Sequence, residues 1–353
     1  MAVTGTNGKT TTTDMVATMM RADGLDAIAC GNIGHPFSLA AREGHAALAV
    51  EASSYQLRFQ ESLHPRVSVL LNLAPDHLDW HGSFEAYGEA KARIFARQGA
   101  GDVHLGNADD EVAAAISSRA PCGQRWFRLG EPGPGEVGFV GSQIVAKLEA
   151  GPGGVELGSP TSEHPGFRAD AAAAAAAALS FGLQPAAVAE GVASVGPLPH
   201  RGQVVATAAG VEFIDDSKAT NPHAALAALA GRTDVVLIAG GLAKGLDLSP
   251  LTGAADRLTG VVAFGASAGQ VEDLFSGIRP VRRAESIEQA AELALELALA
   301  SVPPGGCVVL APGGASQDLF VDYRERGERF AQAAKRLASE HEGSEGTEGS
   351  EGG

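Results

Sequence analysis

The chain opens on a phosphate loop, Val3-Thr4-Gly5-Thr6-Asn7-Gly8-Lys9-Thr10. Glycines at these places let backbone N–H groups close around phosphate oxygens, and a helix following the loop turns its N-terminus toward the same anion. Lys9 is placed to meet the β- and γ-phosphates, and the Thr10 hydroxyl to serve Mg²⁺. Such a loop works at the end of a central strand, so it already selects an α/β fold. Gly5, Thr6, Asn7, Gly8, Lys9, Thr10 and Thr11 are the candidate ATP-binding residues of this segment. The strand before the loop is reduced to Met1-Ala-Val, which points either to an unusual fold or to something missing upstream.

The rest of the chain alternates between strand and helix patterns. A helix is expected over Thr11–Ala22 and short buried strands over Asp26–Ala29, Ala46–Val50 and Val67–Leu73. Ser83 reads as the N-cap of a helix reaching Arg97. Residues 120–165 are rich in Gly and Pro with short alternating runs, and read as hairpins and loops. Helices at Arg168–Phe181 and Gln184–Ser194 follow, then a boundary near Gly196-Pro197. Beyond it, strands are expected at Val211–Ile214, Val235–Ala239, Gly260–Phe264 and Cys307–Leu310, with helices at Pro222–Leu229, Ser286–Ala300 and Leu319–Ser339. That is the pattern of a doubly wound sheet. The expectation is an α/β protein: a P-loop ATPase domain on a parallel sheet over 1–197, a Rossmann-like domain over 198–339, and a disordered acidic tail over 340–353.

Composition limits the function. Hydrophobic residues make up 45% of the 353 and charged residues 19%, enough for sizeable cores. The net charge is −16; without Glu340, Glu342, Glu345, Glu348 and Glu351 about −11 remains, which argues against a nucleic-acid surface. Cys30, Cys122 and Cys307 are far apart, as suits a reducing compartment. No apolar run reaches the roughly 20 residues of a membrane helix, and no signal peptide is visible. A cytoplasmic monomer without membrane insertion is expected.

Two strand ends carry acidic and imidazole groups. Glu51 ends an apolar run in Ala49-Val-Glu-Ala-Ser-Ser-Tyr-Gln-Leu, and Asn72-Leu-Ala-Pro-Asp-His-Leu-Asp-Trp-His-Gly follows another. Carboxylates at the carboxyl edge of a parallel sheet stand where such sheets bind ligands. Beside a phosphate loop they favour a Mg²⁺ site with His77 as a further ligand, although Asp76 and Asp79 could simply cap and solvate a loop. Lys91 on its own reads as a surface helix lysine. In the second half, Arg201 and Lys218 bring positive charge to an acidic protein, and Asp216 at a strand end can hold a ribose hydroxyl or order Lys218. Lys244, Thr220 and Ser316 can bind the two carboxylates of a glutamate; the alternative places Lys244 in a glycine turn and Lys218 in a surface loop.

The short Gly-Thr-Asn-Gly-Lys-Thr loop resembles that of the Mur ligases and folylpolyglutamate synthases. Gly31-Asn-Ile-Gly, Glu51-Ala-Ser-Ser-Tyr-Gln-Leu, and Asp76-His-Leu-Asp-Trp-His-Gly-Ser with Lys91 downstream resemble the central domain of the Mur ligase family. Leu198-Pro-His-Arg, Phe213-Ile-Asp-Asp-Ser-Lys-Ala-Thr-Asn-Pro, Gly240-Gly-Leu-Ala-Lys-Gly-Leu-Asp and Ala315-Ser-Gln-Asp-Leu-Phe-Val-Asp-Tyr-Arg-Glu-Arg-Gly are similar to its D-glutamate-adding branch. The resemblance covers nearly the whole chain apart from the tail.

It implies ATP-dependent ligation of D-glutamate to UDP-N-acetylmuramoyl-L-alanine through an acyl phosphate, in peptidoglycan synthesis, with ATP and Mg²⁺. It implies a carbamylated Lys91 as metal ligand beside Thr10, Glu51 and His77, and catalytic roles for Lys9, His77, Lys91 and Lys218. Asp170, Arg201 and Asp216 join the ATP-binding set. Asn32, Ser53, Ser54, His200, Thr220, Lys244, Ser316 and Tyr323 form the substrate-binding set. Closure between the domains is implied for catalysis. Three departures stand out: the chain starts after the family's UDP-gripping domain, an adenine-holding His-Asn-x-x-Asn segment is replaced around His164–Asp170, and Ala311-Pro-Gly-Gly-Ala-Ser stands for Ser-Pro-Ala-Cys-Ala-Ser. The alternatives are a non-catalytic ATP-binding fragment and another ligase of the same group.

Overall fold

The computed structural model describes residues 1–148, 154–301 and 306–345. The chain divides into two compact units, Met1–Pro197 and Leu198–Gly353.

Among the described residues, the first unit is built on nine strands: β1 (Ala2–Thr4), β2 (Ala27–Gly31), β3 (Ala47–Glu51), β4 (Val67–Leu70), β5 (Val103–Asn107), β6 (Gly123–Phe127), β7 (Glu136–Val140), β8 (Gln143–Ala146) and β9 (Val155–Glu156). Their order is β2-β3-β1-β4-β5-β6-β7-β8-β9. Pairing is parallel as far as β7, and antiparallel through β8 and β9, where the Gly- and Pro-rich stretch makes hairpins. Three residues suffice for β1 because it pairs on both sides and is wholly buried. The helix Lys9–Ala22 packs Met15, Met19 and Met20 on one face of the sheet, beside the helix Pro165–Phe181. Ala171–Ala178 of that helix are all buried, since small side chains let it sit among sheet and helices without a gap. Leu57, Leu70, Tyr87, Ile94 and Phe95 form the core of the other face.

Among the described residues, the second unit has six strands: β10 (Gln203–Ala208), β11 (Val211–Asp215), β12 (Val235–Gly240), β13 (Leu258–Phe264), β14 (Val281–Ala284) and β15 (Cys307–Gly313). The order is β10-β11-β15-β12-β13-β14, all parallel except the β10–β11 hairpin. Helices Ile287–Ala300 and Tyr323–Glu345 cover one face; Pro222–Leu229 and Ala268–Phe275 cover the other. Buried on both faces, the strands read as continuous apolar runs.

Several boundaries differ from the sequence reading, and three have a clear local cause. The helix expected from Leu319 starts at Tyr323, because the Asp322 carboxylate accepts the N–H groups of Arg324 and Glu325 and caps it. The helix after Ser83 is α-helical only over Phe84–Ala92, with a 3₁₀ turn at Arg93–Phe95. The tail expected to be disordered from residue 340 continues the last helix to Glu345; residues 346–353 lie outside the described residues. A helix anchored by Phe330, Ala333, Ala334 and Leu337 propagates cheaply into the polar residues after it. Among the described residues no helix is long and apolar enough to cross a membrane.

Candidate active site

The phosphate loop stands where the strand order of the first unit reverses. From β1 the chain goes to β2 and β3 on one side, then to β4 on the other. Open α/β sheets bind ligands at that point. Gly8 has φ 85°, a left-handed conformation that glycine adopts without strain. A Cβ there would also lie 2.0 Å from Asp170 Oδ1, so the helix Pro165–Phe181 sets a carboxylate against the loop. Asn72, just beyond β4, braces the loop: its Oδ1 accepts from Asn7 N at 2.8 Å and its Nδ2 donates to Asn7 O at 3.1 Å. Thr6 donates to Ala74 O and contacts the Tyr87 hydroxyl, both at 3.2 Å. Lys9 Nζ donates to the loop's own carbonyls, Gly5 O at 3.0 Å and Thr6 O at 2.8 Å.

Neighbouring strand ends meet at Glu51, which is buried. Its Oε2 accepts from the Thr10 hydroxyl at 2.8 Å and its Oε1 from Asn32 Nδ2 at 2.9 Å. Lys91 is the reverse of a surface lysine: it is 1% exposed, donates from Nζ to Gly5 O at 2.7 Å, and lies 4.5 Å from the Tyr87 ring centre. Tyr87 and Lys91 are four apart on one helix, so both face inward under the loop. Burial, and then the positive charge of Lys9, push the Lys91 amine well below the usual lysine range.

His77 takes a left-handed backbone (φ 52°) at the head of the short helix Leu78–His81. Its Nδ1 is 3.6 Å from Asp76 Oδ1 and its ring centre 5.0 Å from that of Tyr55. Ser53 caps the helix Ser54–Phe59 in a capping box with Gln56, and the Ser54 hydroxyl meets His81 Nε2 at 3.0 Å. The Thr11 hydroxyl is buried with no partner. Among the described residues, no three His, Cys, Asp or Glu side chains gather around a metal-sized space. The donors that do come together are the Glu51 carboxylate and the Thr10 hydroxyl. Such a pair of hard oxygens suits Mg²⁺ that takes its other ligands from phosphates and water.

The second unit gathers its candidates at the carboxyl ends of β11, β15 and β12. Arg326, fully buried, is the organiser. Its Nε donates to Ser217 Oγ (2.9 Å), one terminal nitrogen to Ser217 O (2.7 Å) and the other to Gly314 O (3.1 Å). The turn carrying Lys218 and Thr220, the turn carrying Ser316, and the helix that begins at Tyr323 are thereby joined. Lys218 Nζ lies 5.3 Å from the Tyr323 ring centre. Ser316 is buried, whereas Lys244 is exposed in a left-handed turn (φ 51°). Burial, partly offset by Arg201, raises the Asp216 carboxyl to about 7. Arg201 Nε is itself buried without a partner. His200 also has a left-handed backbone (φ 62°), and its Nδ1 is 2.7 Å from Asp215 Oδ2.

Asn72, Tyr87, Asp215 and Arg326 were not among the sequence candidates. An asparagine just past an apolar strand is a readable signal for the first. Nothing in sequence marks an arginine that will be buried.

The Mur ligase middle domain matches residues 3–131 and the Mur ligase glutamate ligase domain matches residues 200–314. A UDP-N-acetylmuramoylalanine–D-glutamate ligase of Thermobifida fusca is 42% identical, over 96% of this chain and 76% of that protein. The chain belongs to the Mur ligase family. The enzyme of the same description from Streptomyces coelicolor is 40% identical over 96% of this chain and 75% of its own length. Among solved structures, E. coli FolC in complex with DHPP and ADP superposes with TM-score 0.65 at 18% identity, over 95% of this chain and 88% of that one. Thermotoga maritima MurF in complex with ADP does so with TM-score 0.65 at 19%, over 96% and 80%. At such identities the likeness concerns the fold, and this Mur ligase shares it across both units.

Proposed function

We propose that this Mur ligase joins D-glutamate to UDP-N-acetylmuramoyl-L-alanine at the expense of ATP, in peptidoglycan synthesis. The observation that carries this is the 42% identity to an enzyme of that description, spread over 96% of the chain and hence over both units. In this reading the alanyl carboxylate attacks the γ-phosphate, giving an acyl phosphate and ADP. The amine of D-glutamate then attacks the acyl carbon and phosphate leaves.

The loop's N–H groups and Lys9 hold the phosphates, exchanging the contacts of Lys9 with Gly5 O and Thr6 O for phosphate oxygens. Mg²⁺, when bound, neutralises charge on the phosphoryl oxygens. Glu51 and Thr10 would hold it, with Asn32 orienting Glu51. The depressed basicity of Lys91 supports its carbamylation, because only the free amine adds to CO₂. Loss of a proton then turns a buried cation into an anionic oxygen ligand, and His77 is the proposed companion ligand. The orphaned Thr11 hydroxyl and Asp170 are proposed as further nucleotide contacts; Arg201 and Asp216 are proposed for phosphate and ribose. Lys218, Thr220, Lys244, Ser316 and the Tyr323 segment are proposed to receive the amino acid.

Phosphate release by the purified chain, with ATP, Mg²⁺, UDP-N-acetylmuramoyl-L-alanine and either enantiomer of glutamate, tests the reading. Release that needs both substrates and prefers the D-enantiomer is expected. Release indifferent to the enantiomer, or none with ATP still bound, would overturn it in favour of another ligase or a nucleotide-binding fragment.

A further inference from the structure

One cluster in the second unit is built more carefully than ligand binding alone requires. The Asp215 carboxylate ends β11 and is 1% exposed. Its Oδ1 accepts from Ser217 N at 2.8 Å, and its Oδ2 faces His200 Nδ1 at 2.7 Å. Where Nδ1 donates to this carboxylate oxygen, the ring's lone pair stands on Nε2. The His200 side chain is 13% exposed, so the ring is largely withdrawn from water but not sealed.

Two backbone features have no other evident purpose. His200 adopts φ 62°, uncommon for a residue with a side chain. Gly327 lies within the helix Tyr323–Glu345, where glycine is a poorer helix former than alanine. A Cβ at Gly327 would stand 2.2 Å from His200 Nδ1 and 2.6 Å from Asp215 Oδ2. The helix gives up a side chain where the pair needs the room. The neighbouring charged and titratable groups are Asp216 beside Asp215, Arg201 beside His200, Lys218 in the following turn, whose N–H reaches His200 O at 3.3 Å, Tyr323, whose ring centre is 6.1 Å from that of His200, and Arg326, which precedes Gly327 and whose positive charge faces Asp215 across Ser217.

We infer that His200 is the general base of the amide-forming step, with Asp215 as its positioning residue and Gly327 as the opening that admits the pair. The inference rests on the ligation reading above. The incoming amino acid arrives as an ammonium and must lose a proton to become a nucleophile. His200 Nε2 takes that proton as the C–N bond forms at the acyl carbon and the carbonyl π pair moves onto oxygen. Collapse of the tetrahedral adduct breaks the C–O bond to phosphate, and the second N–H proton leaves with the phosphate. The acyl phosphate and ammonium thus yield amide, hydrogen phosphate and one proton, which His200 releases. The Asp215 carboxylate stabilises the imidazolium formed in passing.

The test separates the two half-reactions by changing the nucleophile. Hydroxylamine is already unprotonated at neutral pH, so trapping the acyl phosphate as a hydroxamate needs no base. In His200→Asn, where Asn tolerates the left-handed backbone, and in Asp215→Asn, ligation of D-glutamate should fall about 10²- to 10³-fold. Hydroxamate formation should stay within about threefold of the parent chain. The pH profile is a second readout, and its parent arm needs no variant. Parent ligation should level off at a pH below that at which the amine itself titrates. Variant ligation should keep rising about tenfold per pH unit until the amine itself titrates. A parallel fall of hydroxamate and ligation, unchanged ligation in both variants, or a parent profile without the plateau would overturn the assignment. A parent chain that forms neither product overturns the ligation reading itself.

Discussion

The two units solve opposite problems in placing charge. In the first, two of the groups proposed to do chemistry are themselves buried. Lys91 and Glu51 are 1% and 3% exposed, and each is tied to backbone or to another polar side chain. In the second, the two most deeply buried charges are framework. Arg326 is 0% and Asp215 1% exposed, while Lys244 rides outside on a turn. A phosphate loop needs its cations desolvated and preorganised, because charge neutralisation is most of the work in phosphoryl transfer. An amino acid can be received by exposed cations, provided their turns are held rigid from below. Arg326 does that with a guanidinium fork, which one residue can aim at two turns at once.

The largest effect should come from the first unit. Lys9→Ala is expected to lower both hydroxamate trapping and ligation about 10³-fold, with little change in melting temperature. Lys244→Ala should raise KM for D-glutamate and spare hydroxamate trapping. Loss of both reactions in the second variant would erase the functional division between the units.

Next comes the buried framework. Arg326→Ala leaves Ser217 O and Gly314 O without their partner and opens a cavity, a loss of about 3 kcal/mol. Trp80 and Trp126 are the only tryptophans and both lie in the first unit, so their fluorescence transition should stay put. Hydrogen exchange in β11 and β15 should accelerate. A shift of the tryptophan transition of equal size would show the units unfolding as one.

The pH dependence should have opposite signs in the two units. His104 is wholly buried, bonded to the Ser68 and Ser117 hydroxyls, and burial lowers it to about 3. The unfolded state binds a proton there below about 6.5 that the folded state refuses. This part of the stability of the first unit is therefore complete above about 6.5 and is lost as pH falls toward 3. Asp216, raised to about 7, behaves in reverse. The folded state keeps a proton that the unfolded chain has released above about 4. That part of the stability of the second unit is present below about 4 and is lost as pH rises to 7. Tryptophan-detected and exchange-detected stability between pH 4 and 6.5 should diverge. His104→Asn and Asp216→Asn should flatten their own slopes only.

Surface ion pairs should matter least. Arg119→Ala breaks an exposed pair with Glu89 and should cost less than about 0.5 kcal/mol. A larger loss would mean that the rim of the first unit is as interlocked as its centre.

Much of this was legible in the residues. The loop, the acid at the end of β3, the two alternating blocks and the division near Pro197 all follow from local pattern. Glycine spacing and apolar runs act within a few residues, and buried parallel strands announce themselves as unbroken apolar stretches. The carboxyl-edge placement of Glu51, Asp216 and Lys218 is likewise local, since it needs only the end of a strand.

What the sequence alone could not determine is which charges go inside. Lys91 reads as a helix-surface lysine and is buried under the loop; Arg326, not among the sequence candidates, is buried entirely. Nor could it pair His200 with Asp215, fifteen residues away, or explain the glycine at 327 that makes room for them. Desolvation and pairing depend on what surrounds a side chain in three dimensions, and those neighbours come from distant parts of the chain. The kind of chemistry was therefore determined by short-range pattern, while burial, pairing and rigidity were decided only when the sheets closed around these residues.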